Sequence, residues 1–122
     1  MIIFACLVLA VHDGDGPLRC ASGEKIRIAG VQAPDFTTAE PCQQHRAEYV
    51  CDDAAAEHAR DIVSRMVLNR TLQCEPYGMS YARVVARCTL PDGRDLSCAV
   101  IAAGAGARWD RYWQRYRLPE CR

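Results

Sequence analysis

With 122 residues, a formal net charge of zero and half of its residues hydrophobic, the chain has material for a single domain with one modest core. It excludes a second domain, and it excludes a uniformly basic field of the kind that coats nucleic acid. Of the 15 basic residues only Lys25 is a lysine, so any nucleic-acid site has to be a local patch of arginines.

Eight cysteines in so short a chain fit a disulfide framework made in an oxidising compartment, periplasmic or extracellular. Cys42 and Cys51 bracket a short loop and form the first expected pair. Cys74 with Cys88 and Cys20 with Cys98 are the further pairings to test. A zinc reading of Cys42, His45 and Cys51 lacks a fourth ligand at a usual spacing.

Met1 to Val11 is almost wholly apolar, yet it has no basic leader and runs directly into His12-Asp13 without a cleavage site. It is read as a first strand over residues 3–12, with an export signal not visible in the chain. A transmembrane helix would need about 20 apolar residues, more than this stretch holds. Asp13-Gly14-Asp15-Gly16 reads as a turn. A brief second strand around Leu18 to Cys20, the Ser22-Gly23 turn and a third strand from Lys25 to Val31 complete a meander. From Ala33 to Cys51 no period of 2 or 3.6 appears, and Pro34 and Pro41 interrupt, so a loop held by cysteines is expected.

Asp52 or Asp53 then caps a helix running to about Leu68, with Ala55, Ala59, Ile62, Val63, Met66 and Val67 on one face and Asn69 as its stop. Thr71 to Glu75 and Tyr81 to Thr89 read as a strand pair turning around Tyr77-Gly78, followed by a Pro91-Asp92-Gly93 turn. A short helix is expected over Ser97 to Ala103, capped by Asp95 or Ser97 and stopped at Gly104. Five short strands with one helix between the third and fourth describe a mainly β, α+β chain closed into a small barrel. One domain covers residues 1–122, with 1–3 and 118–122 peripheral.

At the C-terminus, Arg108, Arg111, Arg115 and Arg117 interleave with Trp109, Tyr112, Trp113 and Tyr116. Periodicity favours a terminal helix that buries its four aromatics and leaves the arginines in solvent. The other reading is a surface that tracks a single strand by charge and stacking.

Two turns carry carboxylates, Asp13/Asp15 and Asp35, and two strands carry arginines, Arg27 and Arg83. That is a minimal set for holding a divalent metal and a phosphodiester together. Each residue also has a plainer reading: the aspartates as turn formers, the arginines as solvated strand residues, and His12, His45 and His58 as ordinary polar residues.

The segments Val11-His12-Asp13-Gly14-Asp15, Ile26-Arg27-Ile28-Ala29-Gly30-Val31-Gln32-Ala33-Pro34-Asp35, Tyr81-Ala82-Arg83-Val84-Val85-Ala86 and Asp92-Gly93-Arg94-Asp95-Leu96 together resemble the thermonuclease (staphylococcal nuclease-like) family in order and spacing, over roughly residues 4–118. The resemblance implies a five-stranded OB-fold barrel with C-terminal helices. It also implies calcium-dependent hydrolysis of DNA or RNA phosphodiesters by a secreted protein. By position it makes Asp15 a metal ligand, Arg27 and Arg83 the grip on the scissile phosphate, and Asp35 the group that activates water.

The chain departs from the family pattern in placing Gln32 where a second metal-ligating aspartate is usual, which replaces an anionic ligand by a neutral amide. Asp35 is one methylene shorter than the usual glutamate, and Gly16 replaces a usual threonine. The expected partner is single-stranded or loosely structured DNA or RNA, with no membrane partner and a monomeric chain. The expected activity is a metal-dependent nuclease, weakened at Gln32 and Asp35. The alternatives are an OB barrel that binds nucleic acid without cleaving it and a disulfide-stapled interaction domain.

Overall fold

Alternation sets the first strand. In β1 (Phe4–Val11) Cys6 and Val8 are fully buried, while Leu7 and Leu9 on the opposite face are exposed. The computed structural model describes residues 2–122, so Met1 lies outside the described residues. The same alternation puts Leu18 and Cys20 of β2 (Leu18–Cys20) and Ile26 and Ile28 of β3 (Lys25–Ile28) inside, with Arg19, Lys25 and Arg27 on the outer face.

A two-residue strand β4 (Val31–Gln32), a single helical turn α1 (Glu40–Gln43) and the helix α2 (Asp53–Val67) lead to the hairpin of β5 (Thr71–Ser80) and β6 (Arg83–Thr89). The chain ends with α3 (Leu96–Ala102), β7 (Ala107–Arg108) and α4 (Asp110–Arg115). Five strands close a barrel in the order β1-β2-β3-β6-β5, while β4 and β7 pair separately. All barrel pairs are antiparallel except β3 with β6. This is the OB-fold barrel, with α2 lying between its third and fourth strands.

Asp52 caps α2 by accepting from the Ala55 amide, and Asn69 follows the helix at φ 62°. Ala56, Ala59, Val63 and Val67 form the buried stripe of α2 at spacings of three and four residues. Ala56, rather than Ala55, takes the first buried position. Asp95 caps α3, accepting from the Cys98 amide.

Three expectations about the backbone are corrected. The third strand stops at Ile28 because Gly30 turns the chain at φ +73°, and a Cβ there would lie 2.5 Å from Trp113 Cε3. Val31 is thereby sent into β4, where it pairs with Arg108. The hairpin turns at Tyr81-Ala82 and not at Tyr77-Gly78. Pro76 pairs with Ala86 and Gly78 with Val85, so Tyr77 is the extra residue of a bulge and the strand runs on to Ser80. The cysteine-held loop contains α1, whose first turn accommodates Pro41.

Cys42–Cys51 and Cys74–Cys88 are bonded as expected, but Cys20 pairs with Cys6 across β1 and β2, and Cys98 pairs with Cys121. The expected Cys20–Cys98 bond does not form because neighbouring strands already face Cys6 toward Cys20. Leu118 is buried and Cys121 is bonded, so the tail packs on the domain instead of lying at its periphery. No cysteine is free among the described residues, as expected of a chain that folds in an oxidising environment. No described helix is long and apolar enough to cross a membrane.

Gly30→Ala should destabilise the protein by about 2–4 kcal/mol, since it adds both a left-handed alanine and an overlap with a buried indole. Urea unfolding followed by tryptophan fluorescence measures this, and an unchanged midpoint would refute the close approach.

Candidate active site

Asp15 is the junction on which the site is built. Its carbonyl accepts from the Ile28 amide (3.0 Å) and from Arg27 Nη1 (3.1 Å). Its carboxylate Oδ2 accepts from the Ala33 amide at 2.9 Å and lies 3.5 Å from Arg27 Nη1. One residue thus ties the first acidic turn to β3 and to the segment leading to Asp35. Arg27 is mostly buried, with its guanidinium also 5.8 Å from the Trp109 ring.

Asp35 is positioned by its backbone. Its amide donates to the Val50 carbonyl at 2.7 Å, and its carbonyl accepts from the Asp52 amide at 3.0 Å, forming a bridge beside the Cys42–Cys51 disulfide. Its side chain is buried, and Oδ2 has no hydrogen-bond partner. Burial, helped by the Asp15 charge, raises the Asp35 carboxyl to about 6 despite the opposing pull of Arg27 and Arg83.

Arg83 opens β6, its Nε and Nη2 donating to the carbonyl and hydroxyl oxygens of Ser80 at 3.3 and 3.1 Å. No carboxylate among the described residues pairs with it in a salt bridge.

Asp15, Arg27, Asp35 and Arg83 therefore line one open cleft of about 550 Å³. Gln32 does not line it. The Gln32 side-chain amide donates to the Glu48 carbonyl at 2.6 Å instead.

Asp13 joins the cleft, although the sequence assigned it no role of its own beyond the acidic turn it shares with Asp15. Its Oδ1 accepts from the Asp15 amide at 3.1 Å, which is the local bond a turn aspartate makes. Its burial, which no pattern in the sequence revealed, gives it more than a turn residue's role. Desolvation first, then the charge of Asp15, pushes its carboxyl up to about 9.

The aromatic segment divides between two surroundings, which corrects the expectation that all four rings are core. Only Trp113 is buried, between the guanidinium groups of Arg87 (4.8 Å) and Arg108 (4.5 Å). Trp109, Tyr112 and Tyr116 are half-buried and line the cleft, their rings in successive contact at 4.7 and 6.2 Å. Tyr49 continues the rim, edge-on to Trp109 at 5.8 Å. On a helical wheel 113 lies about 40° from 109, so the spacing alone does not separate the buried ring from the three that line the cleft.

Calcium takes six to eight oxygen ligands at about 2.3–2.6 Å. Among the described residues no three Asp, Glu, His or Cys side chains are grouped to hold a metal ion. Asp15 Oδ2 is engaged by Ala33 and Arg27, and Gln32 is held outside the cleft. The donor set does not fit a calcium site. No family model matches the chain, and no curated protein matches it significantly.

The buried acid at Asp13 gives a pH test. Its proton is retained in the fold up to about pH 9 and lost from the unfolded chain above about 3.8. Folding therefore takes up a proton across that window, and the stability Asp13 contributes in acid is lost as pH rises through it. Asp13→Asn should match the parent near pH 4 and melt progressively higher than the parent toward pH 9. Melting temperatures recorded in chelator test this, and parallel curves would contradict the burial.

Proposed function

We propose that the cleft binds single-stranded or loosely structured DNA or RNA and hydrolyses a phosphodiester bond, the activity that the resemblance to the thermonuclease family implies. The observation that carries this reading is the convergence of Arg27, Arg83 and Asp35, from three separate elements, on one cleft where Asp35 keeps a buried, unpartnered oxygen. Arginine forks match the oxygens of a phosphate, and their charge is permanent.

In this reading Arg27 and Arg83 hold the non-bridging oxygens and stabilise the charge they gain as phosphorus becomes five-coordinate. The Asp35 carboxylate accepts a proton from the attacking water. The new P–O bond forms as the P–O bond to the leaving sugar breaks, and solvent protonates the departing oxygen. A base of pKa about 6 is ionised at neutral pH yet strong enough to take the proton. The half-buried rings of Trp109, Tyr112 and Tyr116 offer stacking faces to bases on either side of the phosphate. The all-paired cysteines suit a periplasmic or secreted protein.

A second reading, binding without turnover, draws on Gln32: its bond to Glu48 removes from the cleft the position where the family places a second metal ligand.

Cleavage of a fluorogenic single-stranded oligonucleotide separates the two readings. Turnover should be seen with chelator as well as with calcium, because the roles of Arg27, Arg83 and Asp35 use no metal. Arg83→Ala should lower kcat/KM by about 10²–10³-fold, and Asp35→Asn by about 10²–10⁴-fold. The kcat/KM of the parent should rise tenfold per pH unit below about 6 and level off above it, as Asp35 loses its proton. An inert parent that still binds oligonucleotide in a salt-dependent way would establish the binding module instead.

A further inference from the structure

Next to the cleft lies a smaller groove of about 240 Å³, and Lys25 and His12 line both. Arg19 lines only the smaller one. Arg19 and Lys25 are paired directly across β2 and β3. Ile26 pairs with Val84 in parallel register, so one residue back Lys25 stands beside Arg83 at the start of β6. Leu18, Cys20, Ile26 and Val84 pack into or against the barrel core, which turns Arg19, Lys25 and Arg83 to the outer face.

Three cations thus form a row across three adjacent strands, roughly 4.8 Å from strand to strand. Arg27 lies two residues along from Lys25 on the same face. Like charges placed directly opposite one another destabilise a strand pair, and none of the ion pairs among the described residues includes Arg19, Lys25 or Arg83. The acidic residue of the intervening turn, Glu24, is engaged by the Ser22 hydroxyl. An anion lying along the row offsets the repulsion that the chain itself leaves uncompensated.

We propose that Arg19 and Lys25 hold the phosphate adjacent to the one gripped by Arg27 and Arg83, so that the strand leaves the cleft across β3 and β2 through the smaller groove. The inference rests on the reading of the cleft as a phosphodiester site. The occupant of the groove is the sugar-phosphate backbone of the same strand, chosen by charge complementarity and by the shared wall at Lys25. The row contacts backbone only, so it adds affinity for length and none for sequence.

Fluorescence anisotropy with a labelled dinucleotide and a labelled dodecanucleotide tests the path. Removing the grip on one phosphate in R19Q/K25Q should lower the slope of log affinity against log salt by about 0.7 for the dodecanucleotide. It should also weaken that oligomer about tenfold at low salt, while Arg19→Gln alone, outside the cleft, should change dinucleotide affinity by no more than about twofold. Arg19→Lys, which keeps the charge, should retain the parental slope. Circular dichroism of each variant verifies folding, which two outward-facing positions should not disturb.

An unchanged slope and affinity in the double variant would overturn the path. A reduced slope together with a parent that never turns over would support the path and remove hydrolysis from the cleft. A parent that binds neither oligomer at low salt would overturn both.

Discussion

The arrangement depends on a short set of bonds made by Asp15. A turn aspartate that caps only its own loop would leave β3 and the Ala33 to Asp35 segment free to separate. Here the Asp15 carbonyl and carboxylate together take up Ile28, Arg27 and Ala33. Hydrogen bonds to a buried charged acceptor are worth about 1.5–3 kcal/mol each, and a donor left unpaired in the same place costs a comparable amount. The bonds that hold the local fold are therefore those that orient the arginine, and a change at Asp15 would disturb both at once.

A similar double use of contacts is seen around Trp113. Gly30 turns β3 into β4, and the Trp113 ring leaves no space there for a Cβ. Trp113 is in turn held between the guanidinium planes of Arg87 and Arg108, and Arg87 is anchored by Asp95 at 2.6 Å, the residue that also caps α3. The Cys98–Cys121 disulfide and buried Leu118 close the tail over this cluster. Burial of the indole anchors α4, and Trp109, Tyr112 and Tyr116 beside it line the cleft. These aromatic contacts thus join barrel stability to the shape of the cleft wall.

Much of the barrel is legible in the sequence because its information is local. Alternation marks Phe4 to Val11 and Lys25 to Ile28, an aspartate precedes each of α2 and α3, and the period of 3.6 marks Ala59, Val63 and Val67. What escapes is set by contacts between distant segments. Gly30 looks like a strand residue until Trp113 is placed against it. Tyr77-Gly78 has turn composition, yet pairing with Ala86 and Val85 makes it a bulge. The partner of Cys20 is fixed only when β1 is laid beside β2. For the candidate site the residue types and their order were legible, but Asp13's burial, Gln32's bond to Glu48 and the division of the aromatic segment belong to tertiary packing and have no local signal.

The electrostatics of the cleft decide what kind of ligand it favours. Four carboxyl groups (Asp13, Asp15, Asp35 and Glu40) and three guanidinium groups (Arg27, Arg46 and Arg83) line it, together with Lys25. Burial keeps Asp13 protonated at neutral pH, and Asp15 is already committed to Arg27. Of these four carboxyl groups Asp35 and Glu40 remain to oppose Arg83, Lys25 and Arg46, so the local balance is still positive although the whole chain is neutral. An anion entering the cleft meets a positive surround that also contains the Asp35 base. With aromatic rings and cations together in its lining, Arg27 lying near the Trp109 ring, the cleft suits the polyanion with flat rings that we propose for it, and the row through Lys25 to Arg19 would give that polyanion a direction.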